Sequence, residues 1–378
     1  MRKFLLTALL MFCGSATAQD DPDPLLPIFE SALRPTLEVM LERYAEDRRY
    51  TNADFPMRPE AFAKFREDLK KELAFGLNLD SWLVREPEGK ASPIEGRFRQ
   101  QLLKTIEIHG ITAEVITVTI EPSGLAVPMV VCLPDSAEPR PAICCFSGHT
   151  KHGIHDQVVN LDSYQQGIAI RLAKAGFVAI SVEKIDTGYL SRNGTEGVDE
   201  TELATLLLGR DSVLRAEQLK ACIAAVEIAA AHPRVDEMRI GATGVSLGGW
   251  LSIQTALLND RISAVADFGR KTRSLIPGIK AELYKGQADL CHVVPGLLKV
   301  CDRNLHPLAL APRKMLAGHG IQDAGSQREA PEHFRKLCEA QYKALGASEN
   351  YRYLIHEGGD TMPSKEVAAW FAEVFELR

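Results

Sequence analysis

Apolar and polar positions along this chain follow two different periods. Over 25–44 and 59–75 apolar residues recur every three or four positions, which predicts two amphipathic helices. The break Glu86-Pro87-Glu88-Gly89-Lys90 ends that region. From about residue 105 the period drops to two: 105–120 and 126–133 alternate apolar with polar, predicting antiparallel strands joined at Pro122-Ser123-Gly124. Short apolar runs then alternate with helical ones. Strands are predicted at 142–146, 177–182, 239–243, 262–268, 314–317 and 351–355. Helices are predicted at 163–175, 211–231, 247–258, 331–345 and 364–375. This order predicts an α/β fold, a doubly wound, mostly parallel sheet with a helical extension before it. Its site would lie at the carboxyl ends of the strands.

Composition narrows the class. The chain has 378 residues, 46% hydrophobic and 25% charged, which excludes collagenous, coiled-coil and disordered proteins. Lys and Arg number 44 against 50 Asp and Glu, a net charge of -6 with no basic block, so no nucleic-acid partner is expected. At the start, Met1-Arg2-Lys3 is basic, 4–13 is apolar apart from Thr7, and Ala16-Thr17-Ala18 supplies small residues. This layout predicts a secretory signal at 1–18, a helical extension at 19–104 and the α/β domain at 105–378. The protein is then secreted or periplasmic, with no membrane span once the signal is removed. Losing Cys13 leaves seven of the eight cysteines, an odd number that favours buried thiols; Cys291 and Cys301 are the best-placed pair.

The strongest chemical signal is Gly244-Val245-Ser246-Leu247-Gly248, a G-x-S-x-G between a predicted strand and a predicted helix. A sharp strand-to-helix turn lifts such a serine into an exposed, strained position, and a side chain at either glycine would clash. Ser246 is the candidate nucleophile, and the Leu247 amide at the helix start a candidate oxyanion donor. In this fold the acid and the histidine follow the nucleophile. Asp323, after the strand at 314–317, is the candidate acid, with Asp267 in reserve. His356, closing the last strand, is the candidate base; His333 falls on a helix face.

From about Thr105 onward, roughly 270 residues, the chain resembles the α/β-hydrolase superfamily, closest to the dienelactone hydrolase and acetyl xylan esterase group. Besides 244–248, the matching pieces are Phe146-Ser147-Gly148-His149, 318–323, Gly358-Gly359 and Ala368-Ala369-Trp370-Phe371. The resemblance implies a serine hydrolase of carboxylic esters with short acyl groups, such as acetyl on a carbohydrate. It places a second oxyanion donor at the Gly148-His149 region, with His149 its candidate. One position departs: the family's histidine usually follows the paired glycines directly, and here Asp360 stands there. Two readings follow, an exported esterase using Ser246, Asp323 and His356, or an impaired or non-catalytic relative that binds a ligand in the old cleft.

Other signals are weaker. His149, His152 and His155 form H-x-x-H-x-x-H, but Gly153 interrupts any helix that would align them, so no metal or cofactor is expected. Trp250 and Trp370 fall at core spacing. The insertion at 269–305 either covers the pocket or packs peripherally. The expected partner is a small-molecule or carbohydrate ester; sequence leaves the oligomeric state open.

Overall fold

The computed structural model describes residues 48–51, 55–84, 94–185, 187–190, 200–269, 290–323 and 329–377. The signal-peptide reading of 1–18 and the helix expected at 25–44 lie outside these residues. The first described helix, α1 (Pro59–Gly76), buries Phe62, Phe65, Leu69 and Leu73 at three- and four-residue spacing. These side chains join the same core as Leu219, Leu251 and Phe334 of the α/β region.

Nine strands form one sheet: β1 (Phe98–Ile108), β2 (Ile111–Ile120), β3 (Leu125–Leu133), β4 (Arg140–Phe146), β5 (Val178–Val182), β6 (Val235–Val245), β7 (Ile262–Phe268), β8 (Lys314–Gly320) and β9 (Tyr351–His356). Their order is β1-β2-β3-β5-β4-β6-β7-β8-β9. The pairings among β1, β2, β3 and β5 are antiparallel, and all those from β5 to β9 are parallel. The parallel strands β4 and β5 are almost wholly buried, as their continuous apolar runs require.

One expectation is corrected. Residues 105–120 are not a single strand, because His109 (φ 52) and Gly110 (φ 75) turn the chain back and pair β1 with β2. Two successive positive φ angles make a tight hairpin turn, and His-Gly is a weaker sequence signal for it than Asn-Gly.

The remaining helices are α2 (His155–Val158), α3 (Ile168–Lys174), α4 (Glu200–Leu208), α5 (Leu214–Ala231), α6 (Leu247–Leu258), α7 (Glu329–Ala344) and α8 (Ser364–Val374). Residues of α1, α5, α6 and α7 fill the core on one side of the sheet, and those of α3 and α8 the other. All twelve residues of α6 are buried, matching an apolar sequence without a polar face. No helix among the described residues is long and apolar enough to cross a membrane.

All seven described cysteines are free and buried. The pairing expected between Cys291 and Cys301 is therefore absent: the Cys291 sulfur faces His149 instead, at 3.1 Å.

Candidate active site

Parallel register brings the carboxyl ends of five strands together. Phe146 pairs with Gly244, Val245 with Phe268, Phe268 with Gly318, and Gly320 with His356. Ser246 follows β6 directly, with φ 59 and ψ -120, the positive φ that a non-glycine residue rarely adopts. Two backbone bonds hold it there: its N–H donates to Phe268 O (2.8 Å), and its carbonyl accepts from Gly249 N–H (3.1 Å). The flanking glycines are a matter of space. A Cβ on Gly244 would run into the Gly248 backbone, and one on Gly248 into the Phe146 carbonyl. At the head of α6, Leu247 carries an N–H with no intrahelical acceptor, so it is available to an anion.

The loop after β4 presses against this turn. Any Cβ on Gly148 would stand 2.6 Å from Val245 O and 3.2 Å from Ser246 Cβ. His149 comes next, with its side chain turned toward Cys291 and Glu200. The loop is tied down by Glu183, a buried carboxylate just beyond β5. Its oxygens accept from the Lys184, Tyr189 and Ile154 amides (3.1, 3.3 and 3.4 Å) and from Thr187 Oγ1 (2.9 Å). Burial pushes its carboxyl above the usual range, and these four bonds pull it back.

The end of β9, with His356, and the loop after β8, with Asp323, are zipped by backbone bonds. Ile321 N–H donates to His356 O (2.9 Å), and Gln322 N–H to Gly358 O (2.7 Å). The His356 ring lies 6.0 Å from that of Phe268, whose carbonyl holds the Ser246 amide. Burial holds the His356 imidazole below its ordinary pKa; the negative charges of Glu366 and Asp323 oppose this, and His319 adds to it. Its Nε2 is buried and accepts or donates no hydrogen bond among the described residues. Asp323 itself is half-buried.

Asp360 occupies a different corner. Its carboxylate lies against Gly269, beside the side chain of Val245, the residue before Ser246. It also faces Tyr164, whose buried phenol is pushed up by burial first and then by the charges of Asp360 and Asp156. The Tyr164 hydroxyl abuts Gly148. Sequence reasoning missed Tyr164, which sits in a loop before α3 with no motif around it. The reserve acid Asp267 is buried at the end of β7 under Gly249.

Of the three motif histidines, His152 and His155 approach each other at 6.1 Å between ring centroids, while His149 leaves them. It joins Glu200 and Cys291 instead, a group that no motif reveals because its members are distant in sequence. His333 is exposed on α7, and Trp250 and Trp370 are buried. Of the insertion at 269–305, residues 270–289 lie outside the described residues; the rest packs through Cys291, Leu297, Cys301 and Leu305 into the core.

Residues 128–295 match the model of the dienelactone hydrolase family. Among curated proteins the chain is similar to "Putative hydrolase YtaP" of Bacillus subtilis (strain 168), 26% identical over 188 residues, half of this chain. It spans about 60% of that relative's length. Among solved structures it is similar to a "putative acetyl xylan esterase (BF1801)" from Bacteroides fragilis NCTC 9343, with 16% identity, TM-score 0.67, 96% of this chain and 97% of that one. Methylesterase BT1017 gives 21% identity and TM-score 0.61 over 84% of this chain and 65% of that one. A glucuronoyl esterase from Solibacter usitatus gives 13% and 0.56 over 81% and 91%. The chain thus has the α/β-hydrolase fold and resembles the dienelactone hydrolase and acetyl xylan esterase group.

Proposed function

We propose that this protein is an exported serine hydrolase of carboxylic esters. The observation that carries the reading is the backbone of Ser246: a strained φ of 59 at the junction of β6 and α6, backed by glycines that leave room for no side chain. Export rests on the signal-like residues 1–18 alone.

In this mechanism Ser246 Oγ attacks the ester carbonyl as His356 Nε2 takes its proton. Amides of Leu247 and His149 hold the tetrahedral oxyanion. His356 returns the proton to the leaving alkoxide, and the alcohol departs. Water then attacks the acyl-serine, again losing a proton to His356, and the acid leaves with Ser246 restored. Asp323 fixes the imidazole tautomer and stabilises its charged form. The depressed pKa of His356 suits a base that must be neutral near pH 7. The buried Nε2, without a hydrogen-bond partner among the described residues, leaves Ser246 a partner to close on, since such contacts often tighten only once substrate is present. Solved neighbours named for acetyl xylan and glucuronoyl esters support a carbohydrate ester as substrate, and the acetyl xylan name alone supports a short acyl group.

A second reading rests on Asp360. Although the residue is exposed, its carboxylate reaches Gly269 beside the Val245 side chain, and its charge disfavours ionisation of the neighbouring Tyr164 phenol. A carboxylate is a far weaker base than imidazole at neutral pH. If it has replaced the working base, the cleft binds esters without turning them over.

The test is hydrolysis of p-nitrophenyl acetate and labelling by a fluorophosphonate, in the native chain and in Ser246→Ala, His356→Ala and Asp360→Asn. Turnover lost in the first two variants and retained in the third is expected. Turnover surviving His356→Ala would move the base elsewhere. Absence of both labelling and turnover in the native chain would overturn the esterase reading and favour the binding one.

A further inference from the structure

The geometry points to a metal-binding site outside the proposed triad: we propose that His149, Glu200 and Cys291 bind one divalent transition-metal ion of the zinc class. His149 Nε2 lies 3.1 Å from Cys291 Sγ and 3.9 Å from Glu200 Oε2, and the three donor atoms all fall within 4.8 Å of one another. Ligands about 2.0–2.3 Å from a tetrahedral ion must stand roughly 3.3–3.8 Å apart; the two His149 spacings lie within a few tenths of an ångström of that range, and the Glu200–Cys291 spacing must close by no more than about 1 Å. One imidazole, one thiolate and one carboxylate form a borderline-soft set that suits zinc or cobalt and disfavours magnesium or calcium. With the imidazole neutral, the set carries two negative charges, which a dication cancels. Three protein ligands leave a fourth position open.

The surroundings orient these ligands. The second carboxylate oxygen, Glu200 Oε1, accepts the Cys291 amide at 2.5 Å, which fixes the Glu200 rotamer and the turn Leu290–His292 together. The His149 ring meets that of His292 edge-on at 5.9 Å, and Arg215 Nη2 lies 3.0 Å from His292 Nδ1. Support of this kind behind a ligand set typically changes metal affinity by about 10–100-fold. Cys291 is fully buried, whereas the His149 side chain is 38% exposed, so one side of the group opens to solvent and gives an ion its entry.

The ion would join three segments that only the fold brings together: the loop after β4, the first turn of α4 and the turn before residue 293. His149 follows Gly148, the residue packed against Ser246, so a bound ion would pin that loop at its outer end. Binding does not rest on the esterase reading and is measured without ester turnover.

The experiment is titration of the full, chelator-stripped protein with Co2+, followed by competition with Zn2+. One equivalent should bind, with sulfur-to-cobalt charge-transfer absorption that Zn2+ abolishes. Cys291→Ser should remove that absorption, and Glu200→Gln should weaken binding at least about tenfold. His149→Ala, at a partly exposed side chain, is the variant to use if the cysteine change impairs folding, and it too should weaken binding at least about tenfold. The proposal is overturned by absence of the charge-transfer band, by a band that survives Cys291→Ser, by affinity unchanged in His149→Ala, or by binding only at millimolar excess.

Discussion

Gly148→Ala tests the closeness of the loop after β4 to the turn at Ser246, the proposed nucleophile. Gly148 does not adopt a positive φ, so alanine is conformationally acceptable there and only space is at stake. Its Cβ would stand 2.6 Å from Val245 O, against a floor of about 3.0 Å for real Cβ contacts, so the two backbones must part by at least about 0.4 Å. The Tyr164 hydroxyl, 2.5 Å from the same point, blocks retreat on another side. Overpacking of this size costs about 1–3 kcal/mol of stability. Displacing an oxyanion donor by a fraction of an ångström should cost more in rate. A full ångström is worth about 10²-fold and loss of one donor about 10²–10³-fold, so kcat for p-nitrophenyl acetate should fall by roughly 10–10²-fold with KM little changed. Gly209→Ala is the control, because its Cβ would meet nothing closer than 3.4 Å. Rates should be read well below each variant's melting temperature. If Gly148→Ala keeps kcat within about threefold of the native value, the loop does not form the oxyanion pocket and the reasoning fails.

Two further outcomes follow from the electrostatics. Burial lowers the His356 pKa below its ordinary 6.5, so turnover should rise with pH through a value under 6.5. Asp323 raises that pKa, so Asp323→Asn should move the acid limb to still lower pH, and a limb that stays put would separate the two residues. The stability sign agrees: His319 and His356 are both depressed in the fold, so the unfolded chain binds protons first. Stability should therefore fall as pH drops below about 6.5, as urea midpoints would show. Elsewhere, the Arg261 and Glu227 side chains are only 3% and 2% exposed, joined at 3.1 Å, and Glu227 also accepts from Asn259 Nδ2 at 2.9 Å. Glu227→Gln should cost roughly 3 kcal/mol in urea denaturation, toward the low end for a broken buried pair because Glu237 lies 3.5 Å from Arg261. A loss under about 1 kcal/mol would mean that Arg261 is already satisfied without it.

Local patterning was enough for most of the architecture. A strand such as Ile262–Phe268 or a helix such as Leu247–Leu258 announces itself because burial on both faces demands an unbroken apolar run. The turn at Ser246 was equally legible, since it needs glycines at fixed offsets from that residue and nothing from elsewhere in the chain. The His109-Gly110 turn was missed because it uses a residue seldom given to that geometry, and Tyr164 because nothing local marks a side chain that matters only through what it faces. Sequence thus determined most of the order of elements, the strained serine and the residue at position 360, but not the β1–β2 hairpin or the helix Glu200–Leu208. The tertiary structure decided what those residues face: His356 near Phe268 and within the field of Asp323, Asp360 against Gly269, and His149 turned away from its neighbouring histidines toward Cys291, 142 residues on. The physical reason is that a strand or a sharp turn is set by interactions within a few residues. A site is set by parallel register and loop closure, which join segments that share no local pattern.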